Sequence, residues 1–427
     1  MKQDWQLPAW LQWLEQCHPC EIDLGLERVS QVWRRLHTQS LPFTVVTIGG
    51  TNGKGSSTAL LVNILVSACY HTGAYTSPHL LRFNERICVD QQEVSDGEIV
   101  AAFAKVDYAR GDISLTYFEF STLAAMEIFI QRDLDIVVLE VGLGGRLDAV
   151  NIFDADVALI TAIDIDHTQW LGCDRETIGR EKAGIARSGR PCIYSSLDIP
   201  KSVLGHTRDL GTPLYQYNVD FKIEHSARGW SWTGPGAVWE HLPKPALLGE
   251  FQFQNAAGVL MVLSRLSADF PVSHSAVAQG LSTLRLPGRF QVLQGPQQTP
   301  IILDVAHNVH AARSLNQNLQ RVKKGKIHGI VAILADKDIA GIVRALMSSI
   351  DSWYASSLEC RRAALGTQTQ EAILKEGGTL SFEPFHLPRH ALVQALAEVK
   401  PNDCIVVFGS FYTVADILDY LPSLIAS

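Results

Sequence analysis

The sequence contains no segment that marks a membrane, secreted or nucleic-acid-binding protein. No apolar stretch is long enough to span a bilayer, and the first residues, Met1–Trp5, show no charged-then-apolar signal pattern. No long basic run occurs and the net charge is −8, which argues against a nucleic-acid partner. Eight cysteines in 427 residues are too few for a disulfide scaffold. We therefore expect a cytoplasmic protein with neither a membrane nor a nucleic-acid partner.

The chain does contain an alternation of apolar runs with helical patterns, which is typical of a parallel sheet covered by helices on both faces. At 427 residues the chain is too long for one typical core, so two domains are expected. The runs that predict strands are 43–48, 136–141, 157–163 and 192–195 in the first part, and 301–305, 330–334, 353–355 and 405–408 in the second.

Two stretches divide the chain. Residues 214–248 alternate aromatic with polar residues and glycines, which predicts a small antiparallel insert rather than a helix. The pair Pro287-Gly288 breaks both kinds of regular structure. We therefore expect an N-terminal domain over 1–286, with the insert inside it, and a C-terminal domain over 287–427, with a cleft between the two.

The most informative stretch is a glycine-rich turn between a predicted strand and a predicted helix. Residues 49–57 read Gly-Gly-Thr-Asn-Gly-Lys-Gly-Ser-Ser, and the predicted helix follows from Thr58. Backbone N–H groups in such a turn converge on phosphate oxygens, and the following helix N-terminus adds positive potential. Lys54 is placed to reach the outer phosphates, and Ser56 or Ser57 to hold Mg²⁺. The nucleotide-binding prediction covers Thr51, Asn52, Gly53, Lys54, Gly55 and Ser56.

This turn departs from the common phosphate loop, because Ile48 stands at its first glycine position and Gly55 separates Lys54 from the serines. The variant resembles the Mur-ligase superfamily, and in particular its folate branch, the folylpolyglutamate synthases. Further stretches carry the resemblance in the same order: 76–86, 139–149, 166–172, 180–185, 287–290 and 304–308. The resemblance implies a P-loop ATPase-type parallel-sheet domain followed by a smaller Rossmann-like α/β domain.

The residues themselves also suggest a metal site. Glu140 ends an apolar strand at the edge where parallel sheets bind ligands, and a carboxylate there suits Mg²⁺. The resemblance implies that Ser77, Glu140 and His167 hold Mg²⁺, with two ions in all. It also implies that Lys182 is carbamylated, which needs a neutral amine and hence a lowered pKa. Without the resemblance, Lys182 would be interpreted as a surface lysine paired with Glu181 or Glu176.

The resemblance implies that the second half also contributes to ATP binding. The matching positions are Asn255, Arg289 and Asp304, with His307 as a further candidate. Linker ion pairing for Arg289 and helix capping for Asp304 are the structural alternatives.

The substrate site is implied by three segments that match the dihydropteroate-contacting parts of family members with two activities. We expect Phe118 to stack on a flat pterin ring, and Glu119 or Asp148 to accept its N–H groups. The residues of these segments are Asp23, Leu24, Gly25, Thr116, Tyr117, Phe118, Glu119, Leu147, Asp148 and Ala149.

The implied reaction is ATP-dependent amide formation, with Lys54, Lys182, His167 and Glu140 as its catalytic residues. L-Glutamate is added to dihydropteroate and to reduced folates through an acyl phosphate, and the enzyme is expected to be a monomer. Three alternatives stay open: a single-activity folylpolyglutamate synthase, a peptidoglycan-type Mur ligase, and a nucleotide-binding regulator without chemistry. Only about 40 residues precede the phosphate-loop strand, which argues against the Mur ligase because those enzymes carry a separate nucleotide-sugar domain there.

Overall fold

The structure is a computed structural model that describes residues 2–226 and 228–426. The chain divides into two compact units. The first comprises the chain up to Ala246 together with Gln252–Leu284, and the second comprises Leu247–Phe251 and the chain from Arg285 onward. The division thus lies two residues before the predicted boundary, and it also assigns the short segment Leu247–Phe251 to the second unit.

The first unit is built on one large sheet and also contains a small one. The strands of this unit are β1 (Thr44–Gly49), β2 (Thr72–Tyr75), β3 (Ile87–Val89), β4 (Gln92–Glu93), β5 (Ile136–Glu140), β6 (Val157–Ile160), β7 (Cys192–Tyr194), β8 (Leu214–Gln216), β9 (Lys222–Ser226), β10 (Gly229–Gly234) and β11 (Ala237–Leu242). Its helices are α1 (Leu7–Leu14), α2 (Glu27–Leu36), α3 (Lys54–Ser67), α4 (Asp96–Arg110), α5 (Tyr117–Ile130), α6 (Thr168–Leu171), α7 (Arg175–Ala183), α8 (Lys201–Leu210), α9 (Phe251–Leu266) and α10 (His274–Thr283).

The large sheet has the strand order β4-β3-β2-β5-β1-β6-β7-β8. The six strands from β2 to β8 in this order pair in parallel, whereas β3 and β4 are antiparallel at one edge. All five residues of β5 are buried, as expected for a central parallel strand covered on both faces. The predicted α/β class is confirmed.

The predicted insert over residues 214–248 is narrower in the structure. Leu214–Gln216 is the last strand of the large sheet, where it pairs in parallel with β7. The antiparallel sheet has only three strands, in the order β11-β10-β9. Leu214–Gln216 is a three-residue edge strand of which every residue is half-buried, so it lacks the continuous apolar run that marks a central strand, and the sequence pattern did not separate it from the insert. Trp230 and Trp232 are fully buried beneath this small sheet.

The second unit has a five-stranded sheet in the order β12-β13-β16-β14-β15, in which β12 is the antiparallel edge strand. Its strands are β12 (Gln291–Gln294), β13 (Pro300–Leu303), β14 (Ile327–Val331), β15 (Ser352–Ala355) and β16 (Cys404–Phe408), and its helices are α11 (Val309–Val322), α12 (Ile339–Leu346), α13 (Gly366–Lys375), α14 (Pro388–Glu398) and α15 (Phe411–Ala426). Across both units, none of the helices in the described residues is long and apolar enough to cross a membrane.

Candidate active site

The glycine-rich turn lies between β1 and α3, and α3 begins at Lys54 rather than at Thr58 as predicted. Gly53 precedes the helix with a φ of 96°, a conformation that side chains other than glycine rarely adopt. A Cβ on Gly53 would lie 2.5 Å from Asn255 Oδ1. Gly53 therefore allows both the turn and the close approach of α9, and it leaves the N–H groups of the first helical turn at the loop.

The loop is attached to the segment that follows β6. Thr51 N donates to Ala162 O at 2.7 Å, and the Thr51 hydroxyl donates to Asp164 O at 3.0 Å. The same segment leads to His167, which precedes α6 with a φ of 52°. His167 N donates to Asp166 Oδ1 at 2.8 Å. The phosphate loop and the predicted metal-binding histidine are thus held on one framework.

Two lysines meet at the loop. Lys54 Nζ and Lys182 Nζ donate to the same carbonyl oxygen, that of Gly50, at 3.0 and 2.9 Å. Lys182 is buried, and burial together with the neighbouring Lys54 ammonium lowers its pKa to about 7. A large share of Lys182 is therefore neutral near neutral pH, which is the state that reacts with CO₂.

Lys182 is not the surface lysine of the alternative interpretation. The Glu181 carboxylate accepts from Arg146 at 2.9 Å, and the Glu176 carboxylate accepts from the first N–H groups of α8. Glu181 thus pairs with an arginine and Glu176 caps α8, and neither is paired with Lys182 in the structure.

The predicted metal ligands Ser77 and Glu140 follow or end neighbouring strands. Tyr75 of β2 is in register with Leu139 of β5. Ser77 follows Tyr75 by two residues and Glu140 follows Leu139 directly, so both predicted ligands lie at the carboxyl edge of the sheet. Glu140 is buried and in register with Ile48 of β1, next to the phosphate loop. In the described chain, no group of three or more His, Cys, Asp and Glu side chains could hold a metal ion. The predicted set has two such side chains and a serine.

The donor set nevertheless fits a hard divalent cation. Glu140 and Ser77 offer oxygen ligands, and Mg²⁺ in phosphate sites commonly uses one or two carboxylates while phosphate and water complete the shell. At the start of α3, Ser57 Oγ is buried without a hydrogen-bond partner among the described residues. A polar atom that is buried and unpartnered beside a phosphate loop is consistent with a ligand there.

Helix α9 supplies a residue that the sequence analysis missed. Gln252 is buried. Its side-chain Nε2 donates to Ser56 Oγ at 3.5 Å, and its side-chain Oε1 accepts from Asn255 Nδ2 at 3.0 Å. The predicted ATP-binding Asn255 is thereby brought against the loop at Gly53.

Two of the predicted substrate segments are joined by Arg28, which the sequence analysis also missed. Arg28 donates to both the carboxylate and the carbonyl of Asp23 and, at 3.2 Å, to the Glu119 carboxylate. Glu119 also accepts from Thr116 N at 2.8 Å and thus closes a capping box at the start of α5. Leu24 and Gly25 lie in the half-buried loop between Asp23 and α2.

Phe118 and Tyr117 have aromatic neighbours. The Phe118 ring lies 5.8 Å from Tyr75, and a Cβ on Gly142 would come within 2.7 Å of it. The Arg86 guanidinium lies over the Tyr117 ring, 5.4 Å from its centre, and its Nε donates to His79 Nδ1 at 2.8 Å. Burial, together with this guanidinium, lowers the pKa of His79 to about 4, so the ring is neutral.

The third segment surrounds Asp148. Its carboxylate accepts from Leu143 N at 2.7 Å and from Val150 N at 3.1 Å, which fixes the glycine loop after Glu140. Burial raises the pKa of Asp148 to about 7. Leu147 is half-buried, and Ala149 begins a short buried 3₁₀ helix.

In the second unit, Arg289, Asp304 and His307 are brought together. The Asp304 carboxylate accepts from Phe290 N and Ala306 N, each at 2.9 Å. Burial raises its pKa to about 6, against the opposite effect of the Arg289 guanidinium. Arg289 and His307 both lie against the ring of Phe411, at 5.5 and 6.2 Å. Asp304 follows β13, so the predicted strand-end position is observed.

Comparison with known proteins decides the family. Residues 288–411 match the family described as Mur ligase, glutamate ligase domain. The chain is 42% identical over 419 residues to the dihydrofolate synthase/folylpolyglutamate synthase of Escherichia coli, covering 98% of this chain and 96% of that protein. The chain belongs to the dihydrofolate synthase/folylpolyglutamate synthase family.

Solved structures of family members agree over the whole length. E. coli FolC in complex with DHPP and ADP superposes with a TM-score of 0.91 at 42% identity and covers 99% of both chains. The Yersinia pestis bifunctional folylpolyglutamate synthase/dihydrofolate synthase, complexed with AMPPNP and a Mn ion, gives a TM-score of 0.90 at 44% identity over 98% of this chain and 99% of that one.

Two residues that contact predicted site residues of this dihydrofolate synthase/folylpolyglutamate synthase family member carried no recognisable signal in the sequence. Arg28 and Gln252 have partners, Glu119 and Ser56, that are distant along the chain. Arg86 differs from them because it lies in the stretch 76–86 that carries the family resemblance, although no role was predicted for it.

Proposed function

We propose that the protein is an ATP-dependent ligase that adds L-glutamate to 7,8-dihydropteroate and to the γ-carboxylate of reduced folates. The carboxylate is first phosphorylated by ATP, which releases ADP. The amine of glutamate then attacks the acyl phosphate, and phosphate leaves as the amide forms. Full-length similarity to enzymes with both activities supports this function and gives no support to the peptidoglycan-type alternative or to a regulator without chemistry.

The observation that carries the proposal is the convergence of Lys54 and Lys182 on the Gly50 carbonyl, beside the N-terminus of α3. The Lys54 ammonium and a row of helix N–H groups at one loop suit the triphosphate of ATP and the charge that develops on the transferred phosphate, and the Lys182 side chain lies directly beside them. In the proposal Lys54 neutralises the outer phosphates, while Asn255 and Gln252 hold the loop. Arg289, Asp304 and His307 of the second unit also contribute to ATP binding.

Ser77, Glu140 and His167 are the residues that would hold Mg²⁺ in the proposal. When bound, the cation would neutralise phosphate charge and orient the phosphates for in-line transfer. The buried Glu140 carboxylate beside β1 supports this assignment.

Carbamylation of Lys182 remains part of the proposal. The lowered pKa of its buried amine supplies the neutral nucleophile that CO₂ needs. Its test is ¹³C NMR of the protein in ¹³C-bicarbonate. We expect one slowly exchanging carbamate resonance that is absent from Lys182→Arg, and its absence from the unsubstituted protein would refute the modification.

The reaction is tested by isotope transfer. Dihydropteroate with an ¹⁸O-labelled carboxylate is incubated with ATP, Mg²⁺ and L-glutamate, and the phosphate formed is analysed by mass spectrometry. An acyl phosphate route moves one ¹⁸O from the carboxylate into phosphate, because the carboxylate oxygen bridging to phosphorus leaves with it. Phosphate without ¹⁸O, formed at the rate of the amide product, would contradict the proposed intermediate. A cytoplasmic location belongs to the proposal, and cell fractionation checks it.

A further inference from the structure

We propose that Arg28 is a positioning residue for the pteroyl part of the substrate, because it fixes the Asp23–Gly25 loop to the first turn of α5. This inference rests on the proposed function. Arg28 is the second residue of α2 and was not among the residues singled out from the sequence. It donates to Asp23 Oδ2 at 2.5 Å, to Asp23 O at 2.8 Å and to Glu119 Oε1 at 3.2 Å.

The contact with Glu119 spans 91 residues of sequence, whereas the two contacts with Asp23 are local, and together they join two of the three proposed substrate segments. One end of the connection is rigid, since the Glu119 side chain is only 4% exposed and is held by the capping box with Thr116. The other end is a loop, and its Asp23 side chain is 41% exposed. A planar guanidinium that donates to a side chain and to the same residue's carbonyl fixes both the position and the rotation of that residue.

The arrangement changes which carboxylate suits the pterin ring. Both Glu119 oxygens already accept hydrogen bonds, from Arg28 and from Thr116 N. Both Asp148 oxygens likewise accept from backbone N–H groups. Asp23 is the accessible one, and its Oδ1 has no hydrogen-bond partner among the described residues, whereas Oδ2 is held by Arg28 and lies 3.5 Å from His18 Nε2. Arg28 therefore presents Asp23 Oδ1 as an acceptor for ring N–H groups.

Removal of Arg28 has a second effect. It leaves the buried Glu119 carboxylate without its charge partner, close to the carboxylate of Asp23, and two like charges repel. The Asp23–Gly25 loop would then lose its attachment and move away from α5. The substrate that depends on this loop should bind weakly, whereas the phosphate loop, which Arg28 does not touch, should bind ATP as before.

The test compares Arg28→Gln, Arg28→Lys and the control Arg34→Gln, which removes the same charge from an exposed position of the same helix. We expect Arg28→Gln to raise the KM for dihydropteroate at least about tenfold while the KM for ATP and kcat change less than about threefold. Arg28→Lys keeps the charge without the planar guanidinium, so its KM for dihydropteroate should lie between those of the unsubstituted protein and Arg28→Gln. Arg34→Gln should match the unsubstituted protein.

A double-mutant cycle separates positioning from general loss of structure. If Arg28 acts through Asp23, then Arg28→Gln/Asp23→Asn should bind dihydropteroate no more weakly than Asp23→Asn alone. Effects that multiply, an unchanged KM for dihydropteroate, or a parallel rise in the KM for ATP would each overturn the inference. Equilibrium binding of dihydropteroate by calorimetry gives the same comparison without turnover, so a failure of the ligase reaction is distinguishable from a failure of this inference. If Arg28→Gln does not fold, the same double-mutant cycle is measured with Arg28→Lys in its place.

Discussion

Gly53 joins a backbone requirement to a packing requirement. Its φ of 96° disfavours any side chain, and Asn255 Oδ1 lies where a Cβ would be. We expect Gly53→Ala to lower the free energy of unfolding by about 1–3 kcal/mol and to raise the KM for ATP, because Asn255 must move away from the loop. Urea unfolding and steady-state kinetics measure the two effects.

Gly189→Ala is the matched control for this change. Gly189 has a φ of 68°, and a Cβ there would meet nothing within 4 Å. It should therefore show the backbone cost of about 1 kcal/mol without a change in the KM for ATP. Equal effects of the two variants on the KM for ATP would contradict the role given to the Asn255 contact.

Lys182 makes stability depend on pH. Its pKa is about 7 in the folded chain against the ordinary 10.5, so between these values the unfolded chain binds a proton that the folded chain has lost. The free energy of unfolding should therefore rise with pH across this window, by at most about 1.4 kcal/mol per pH unit from this group. Lys182→Met should lack that rise.

Urea unfolding at pH 7.5 and pH 9 in CO₂-free buffer, which prevents carbamylation, compares the two proteins. Identical slopes of unfolding free energy against pH would show that the Lys182 amine is not perturbed by the fold.

At the residue scale, the sequence located groups that lie at the ends of strands or inside a recognisable turn. Lys54, Glu140 and Asp304 are examples, since strand ends and glycine turns have clear local patterns. Arg28 and Gln252 escaped because their partners are set by tertiary packing, and an arginine or glutamine near the start of a helix has no distinctive pattern of its own. Glu119 was assigned to the pterin by resemblance, whereas the structure also gives it a cap and an ion pair.

At the scale of elements, the small antiparallel sheet stabilises the helix that contacts the phosphate loop. Trp232 of β10 is fully buried, and its indole N–H donates to Ala257 O of α9 at 3.1 Å. We expect Trp232→Ala to cost about 3–5 kcal/mol in unfolding free energy. It should also raise the KM for ATP more than that for dihydropteroate, because α9 carries Gln252 and Asn255.

The exposed Val238 on the neighbouring strand β11 provides the control. Val238→Ala should change stability by no more than about 0.5 kcal/mol and leave both KM values unchanged. An unaltered KM for ATP in Trp232→Ala would show that the small sheet does not influence nucleotide binding, which contradicts this prediction.

Most elements were predictable because central parallel strands are continuous apolar runs with clear limits. The exceptions have physical reasons. Helix α3 starts at Lys54 because Gly53 adopts a positive φ that permits the turn so early, a property that composition does not display. Strand β8 was assigned to the insert because it is a short edge strand whose three residues are all half-buried, so that no continuous apolar run marks it as part of the large sheet.

At the scale of the whole molecule, the second unit has its own sheet and its own core, which includes Phe290, Ile302, Val406 and Phe408. We expect residues 285–427 expressed alone to unfold cooperatively in urea with dispersed amide resonances. Val406→Asp places a charge in the centre of this core and should abolish the transition in the same fragment. A fragment that is unfolded without substitution would contradict two independent cores.

The most direct measurement of the central claim is a mass-resolved ligase assay with ATP, Mg²⁺ and L-glutamate, run on the protein and on Lys54→Ala. Dihydropteroate and tetrahydrofolate are offered as separate acceptors. We predict one glutamyl addition to the first and extension of the second, with both products reduced by orders of magnitude in the variant, which lacks the ammonium group at the phosphate loop. Extension alone would make the protein a single-activity synthase. Absence of product from both acceptors, or full turnover by Lys54→Ala, would contradict the account.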